Sequence, residues 1–175
     1  MDYHYLRRGG HIVTKSLTQA DIQHYMGEAL FEARAAEQIG EVPIGAVVVQ
    51  NGKIIGRGHN IREHTQDATL HAEMIAIQEA CMTVHSWRLE DAQLFVTLEP
   101  CPMCAGAIIN SRIDRVYYGA PDPKAGAAGT LVNLLTDHRF NHQADVFSNV
   151  RAAESKALLQ HFFQEIRRKR KNKKG

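Results

Sequence analysis

At 175 residues, with 44% hydrophobic and 23% charged residues, the chain has the size and balance of one soluble globular domain with a proper core. No apolar run approaches the ~20 residues of a transmembrane helix, which excludes a helical membrane protein. Three cysteines do not make a disulfide framework and point to a reducing cytoplasm, and a formal charge of only +2 hides a strong asymmetry at the C-terminus.

Residues 1–17 mix Tyr, His, Arg and Gly without a period and read as a mobile extension. They lack the long apolar core and small-residue cleavage site of a secretory signal. A helix is predicted from Thr18, with Asp21 as a capping-box partner, to Gly40. Its apolar face carries Ile22, Tyr25, Met26, Ala29, Leu30, Ala33 and Ala36. Residues 44–49 read as a buried strand, Asn51-Gly52 as a two-residue hairpin turn, and residues 53–58 as the returning strand. Residues 59–69 are polar and loop-like. A helix is expected over 70–84, with Cys81 at a buried position, then a strand over 94–98. Glu99-Pro100 breaks that strand immediately before a helix over 102–110. Strands over 115–118 and 144–147 are far enough apart for a crossover through a short helix around 130–135, so they should lie parallel. A last helix begins at Arg151, with Ala153, Ala157, Leu158, His161 and Phe162 along one side. The alternation of strands and helices implies an α/β domain over residues 18–166, with a mostly parallel sheet and right-handed crossovers. Residues 167–175 form a basic tail. The stretch RRKRKNKK takes seven of the 21 basic residues, leaving 14 against 19 acidic ones in the rest of the chain. Such a tail is either a solvated or disordered end or the electrostatic footprint of a nucleic-acid binder, and composition leaves both open.

Two short stretches carry chemistry: His71-Ala72-Glu73 and Pro100-Cys101-Pro102-Met103-Cys104. One imidazole and two thiols are good zinc ligands, and one carboxylate is left over. A structural zinc takes four protein ligands, whereas a catalytic zinc takes three and leaves a position for water. Three ligands plus a spare Glu is therefore the composition of a hydrolytic site. Pro102 suits the first position of a helix, which would put Cys101 and Cys104 on one face and their thiolates at the positive end of its dipole. His71 and Glu73 can converge only in a first helical turn. Alone, CxxC also describes a redox pair or half of a structural zinc site. The combined H-x-E…P-C-x-x-C pattern is the known signature of zinc deaminases. Glu99 is a second carboxylate near the cysteines and the next candidate for moving protons.

Beyond these motifs, the chain resembles the bacterial tRNA-specific adenosine deaminases over about residues 20–165. The likeness is carried by HAE, by TLEPCPMC, by GAPDPKAGAAG at residues 119–129, by EVPIGAV at residues 41–47, by Asn60 and by the pair Phe162-Phe163. In one respect the chain departs from that family: Gln164 follows the aromatic pair where Arg is common, and basic residues begin at Arg167.

The resemblance implies a three-layer α/β/α cytidine deaminase-like fold, with a five-stranded mixed sheet flanked by helices. It also implies hydrolytic deamination of adenosine to inosine at the wobble position, residue 34, of a tRNA anticodon. One zinc per chain would be held by His71, Cys101 and Cys104, with Glu73 as the proton-transferring catalytic residue. Asn60, Ala72, Pro100, Asp122, Lys124, Phe162 and Phe163 would contact the substrate, although Asn60 also reads as a plain turn residue. The partners implied are the tRNA anticodon loop and a second copy of the chain in a homodimer, with no membrane and no organic cofactor. Two rival readings share the metal motif: a deaminase of free guanine or cytosine, and a non-catalytic nucleic-acid-binding module held together by zinc.

Overall fold

The computed structural model describes residues 17–172; all but the last residue of the expected N-terminal extension, and the last three residues of the basic tail, lie outside them. Helix α1 (Gln19–Gln38) is followed by strands β1 (Gly45–Gln50) and β2 (Lys53–His59), a single-turn helix α2 (Arg62–Thr65) and helix α3 (Ala72–Val84). Strand β3 (Gln93–Leu98), helix α4 (Pro102–Ser111), strands β4 (Arg115–Ala120) and β5 (Asp145–Phe147), and helix α5 (Ala152–Asn172) complete the chain.

The strands form one sheet in the order β2-β1-β3-β4-β5. Its two faces follow from period-two alternation along apolar strands. Ala46, Val48, Leu94, Val96, Val116 and Tyr118 pack on one side with Ala72, Ala76 and Ala80 of α3 and Ala105 and Ile108 of α4. Val47, Val49, Phe95 and Tyr117 pack on the other with Tyr25, Met26, Ala29 and Leu30 of α1, and Leu158 of α5 joins them. The result is the expected three-layer α/β/α sandwich. Its α1 layer begins at the expected capping box: Asp21 N–H donates to Thr18 Oγ1, and Thr18 N–H donates to the Asp21 carboxylate.

The sheet is mixed, as the resemblance implies, rather than mostly parallel as the alternation of elements suggests. Strand β1 is antiparallel to both β2 and β3, while β3–β4 and β4–β5 are parallel. The cause is the Asn51-Gly52 turn, whose two positive φ values, 52° and 73°, fold β2 straight back beside β1. Helix α3 then carries the chain over β1, so β3 runs parallel to β2 and therefore against the β1 strand between them. The parallel β4–β5 pairing is as expected, but its connection differs. Residues 130–135 form turns with an Ala128–Asn133 bridge, not a helix. Conversely, the predicted 59–69 loop contains α2, where the His64 N–H donates to the buried Glu41 carboxylate over 2.6 Å. Cys81 is half-buried rather than buried, and the basic run as far as Asn172 continues α5 with exposed side chains.

Helix α3 lies close against β2 because that strand offers glycine at the two positions beneath it. A methyl group on Gly56 would overlap Ala76 O, and one on Gly58 would overlap Ala72 O, both backbone atoms. Gly58→Ala must therefore lift the first turn of α3. Urea unfolding should show a loss of about 1–3 kcal/mol from this overpacking. Gly106→Ala, in the interior of α4 with open space around it, should be neutral or stabilising by up to ~1 kcal/mol.

Candidate active site

Strands β2 and β3 run the same way, so the helices that follow them both start at the same edge of the sheet, on the same face. Crevices at strand carboxyl ends are where open α/β sheets bind ligands. His71 is the N-cap residue of α3, Cys101 is the N-cap residue of α4, Pro102 occupies the first position of α4, and Cys104 lies in its first turn. His71 Nδ1 lies 3.7 Å from Cys101 Sγ and 3.6 Å from Cys104 Sγ. The three ligand atoms all lie within 4.8 Å of one another, a group that could hold a metal ion. The local fold thus brings His71 to a pair of cysteines 30 and 33 positions further along the chain.

The three side chains are close enough to shift one another's protonation. A hydrogen bond with Cys104 holds the Cys101 thiol down at about 4, against burial and with help from the His71 ring. The same bond, together with burial, pushes the Cys104 thiol up. His71 is raised chiefly by its hydrogen bond with Cys101, which outweighs burial. Glu73 sits in the first turn of α3 and is buried, which pushes its carboxyl up to about 7, while the His71 charge and Cys104 pull the other way. A carboxyl poised near neutrality can both take and give protons, as general acid–base chemistry requires.

Asn60 directly follows β2 and is buried, with its Oδ1 accepting the Ala72 N–H over 3.0 Å. No residue among those described receives its Nδ2 donors. Ala72 and Pro100, the next two expected substrate contacts, have backbone groups already engaged. In the structure the Ala72 N–H is taken by Asn60, and Pro100 O accepts the Ala127 N–H over 2.9 Å, keeping one lone pair. Asp122 and Lys124 lie on the loop after β4, where Asp122 Oδ1 accepts the Lys124 N–H and the Lys124 side chain is exposed. The aromatic pair divides. Phe162 is 8% exposed and packs within the fold, whereas Phe163 is 41% exposed and offers its ring to solvent. The two rings therefore face different surroundings, because consecutive helical residues point about 100° apart.

Glu99 does not join the metal group. It is buried, and its carboxylate accepts the N–H groups of Asp122 (3.0 Å), Ala128 (3.1 Å) and Thr130 (2.9 Å), together with the Thr130 hydroxyl. Burial raises its pKa, but these hydrogen bonds outweigh that and hold the carboxyl below its ordinary value. This role, like that of Glu41 under α2, escaped sequence reasoning, since nothing in the chain marks which backbone donors a carboxylate will meet.

Removing the Asn60 acceptor should be costly whatever the site does. Asn60→Ala leaves the buried Ala72 N–H unpaired and should lose about 1–3 kcal/mol in urea unfolding. Asn110→Ala on the exposed side of α4 should stay within ~0.5 kcal/mol of the parent.

Comparisons agree with this geometry. The family model of the MafB19-like deaminases matches residues 20–167. A tRNA-specific adenosine deaminase of Bacillus subtilis is 56% identical over 155 residues, covering 89% of this chain and 95% of that protein. One from Streptococcus pyogenes is 49% identical over 149 residues, covering 85% and 94%. A solved structure from work on A-to-I editing by tRNA:A34 deaminases at the wobble position of transfer RNA has a TM-score of 0.75 and 46% identity, covering 78% of this chain and 99% of that one. The chain belongs to the MafB19-like deaminase family, within the group of the tRNA-specific adenosine deaminases.

Proposed function

We propose that the chain hydrolyses adenosine to inosine and ammonia at wobble position 34 of a tRNA anticodon, with one zinc per chain held by His71 Nδ1, Cys101 Sγ and Cys104 Sγ. The observation that carries this reading is the convergence of three ligands and one buried carboxylate, Glu73, at two adjacent helix N-termini. Zinc bonds of ~2.0–2.1 Å to nitrogen and ~2.3 Å to sulfur at tetrahedral angles require N···S separations of about 3.5–3.6 Å. The 3.6 and 3.7 Å separations fit that requirement. When bound, zinc supplies the Lewis acidity that activates water near neutral pH.

The protein groups do the rest. Glu73 takes a proton from the attacking water, passes one to the ring nitrogen beside C6, and returns one to the departing amine. Asn60, fixed through its Oδ1, directs its amide donors at the flipped base, and Ala72 and Pro100 wall the pocket. Phe163 stacks on a neighbouring base, and Lys124 meets a phosphate beside Asp122. A single-stranded loop gives up its base cheaply, which suits a site recessed at helix ends. Exposed basic residues along the last turns of α5 add attraction for the backbone.

A homodimer completing the RNA surface agrees with the exposed apolar side chains Met82, Leu131 and Val132. The compartment is the reducing cytoplasm, in keeping with thiols used as ligands and three free cysteines. No described helix is long and apolar enough to cross a membrane. Of the two rivals, a zinc-stabilised binding module gives no reason for a buried Glu73 beside the ligands, and the likeness to tRNA-specific relatives argues against a free-base enzyme.

Glu73→Ala tests the reading. It should keep one zinc per chain and parent-like tRNA affinity, while turnover falls by ~10²–10⁴-fold or more. Metal analysis, filter binding and single-turnover inosine formation give the three readouts. Turnover within tenfold of the parent would assign the proton transfers to another group.

A further inference from the structure

The longest connection in the domain, residues 121–144, joins two parallel strands without a helix, yet its first half is tightly specified. The specification comes from one carboxylate. Glu99 follows the last residue of β3, and its N–H donates to Ala120 O at the end of β4 over 2.9 Å, which carries the β3–β4 pairing one step further. Its buried side chain then accepts three backbone N–H groups and one hydroxyl from the loop. Gly126 permits this approach, because a methyl group there would overlap the Glu99 carboxylate and Asp122 O. The neighbouring residue, Pro100, accepts the Ala127 N–H. Asp122 O in turn accepts the Gly126 N–H over 2.9 Å, which closes the loop into a ring around the carboxylate.

The placement links two parts of the protein. Glu99 and Pro100 immediately precede Cys101, so the residues that hold the loop also lead into the metal-ligating helix α4. Asp122 and Lys124 ride on the loop that Glu99 holds, and Lys124 is exposed. A backbone donor set of this kind needs an acceptor with two oxygens. An amide in the same place would aim N–H groups at N–H groups.

We propose that Glu99 is a positioning residue: its buried carboxylate fixes the loop after β4, and with it Asp122 and Lys124, in register with the His71–Cys101–Cys104 site. Its effect on the reaction is exerted on where the RNA sits, not on proton transfer. This inference rests on the tRNA-deaminase reading and adds the residue that sets loop and site in register.

The test uses the full chain and an anticodon stem-loop containing adenosine at position 34. Glu99→Gln should keep one zinc per chain and a kcat within about threefold of the parent, while the KM rises about 10- to 100-fold, the range expected when a charged contact to the RNA is lost away from the reacting atoms. Lys124→Ala should raise the KM in the parent but add little to Glu99→Gln, because the displaced loop has already lost that contact. Thr130→Val, which removes only the hydroxyl donor, should raise the KM by a smaller factor, and Thr130→Ser should restore it. Thr130→Val decides the matter if Glu99→Gln does not fold. A lowered thermal midpoint with parent KM would make Glu99 merely structural. A fall in kcat at saturating RNA with unchanged KM would make it a proton-handling group, and loss of zinc would place its effect on Cys101. Each of these outcomes overturns the proposal. A parent that binds zinc but leaves the stem-loop unchanged would instead overturn the functional reading.

Discussion

The site depends on how closely helix α3 approaches the sheet. Gly56 and Gly58 let the α3 backbone come within a distance that any side chain would prevent, and this sets the height and direction of the turn carrying His71, Ala72 and Glu73. Helix α4 approaches from the next crossover, with Pro102 opening it, Cys101 as its N-cap residue and the buried Cys104 in its first turn. Neither helix alone holds a metal-binding set. Together, at the carboxyl ends of parallel β2 and β3, they bring an imidazole and two thiols to separations of 3.6 and 3.7 Å. Small residues carry this packing throughout: Ala72, Ala76 and Ala80 face the sheet, and all are fully buried. Close packing of backbone on backbone leaves little freedom for the ligands to drift.

Around this centre, buried carboxylates serve two different ends. Glu73 has few hydrogen-bond donors and its charge is disfavoured by burial, so its carboxyl rises to about 7. Glu99 is also shielded from solvent, but its backbone donors outweigh burial, so its carboxyl is held low and its oxygens act as an anchor. Glu41 repeats the anchoring device beneath α2 through the His64 N–H. Burial alone therefore does not make a carboxylate catalytic. The number of donors that meet it decides whether it stays charged and fixed or remains free to exchange a proton.

Much of this was legible in the sequence. The apolar face of α1, the Asn51-Gly52 turn, the strand runs and the Pro102 helix start are local signals, and each lies where its chemistry put it. The ligand group was legible because His71, Cys101 and Cys104 sit at strand-to-helix or loop-to-helix junctions, which the topology rules place together. What was not legible was non-local. The antiparallel placing of β1 depends on α3 passing over it. The helix expected at residues 130–135 gives way to turns tied to Gly126 and Ala127, a loop that Glu99 holds from the end of β3. In each case the deciding partner lies far away in sequence.

The most direct test is to incubate the purified protein with total tRNA and sequence the products for adenosine-to-inosine changes. Inosine should appear at position 34 of an anticodon and nowhere else, and free guanine and cytosine should remain unchanged under the same conditions. Turnover of a free base without any change in the tRNA pool would contradict the account.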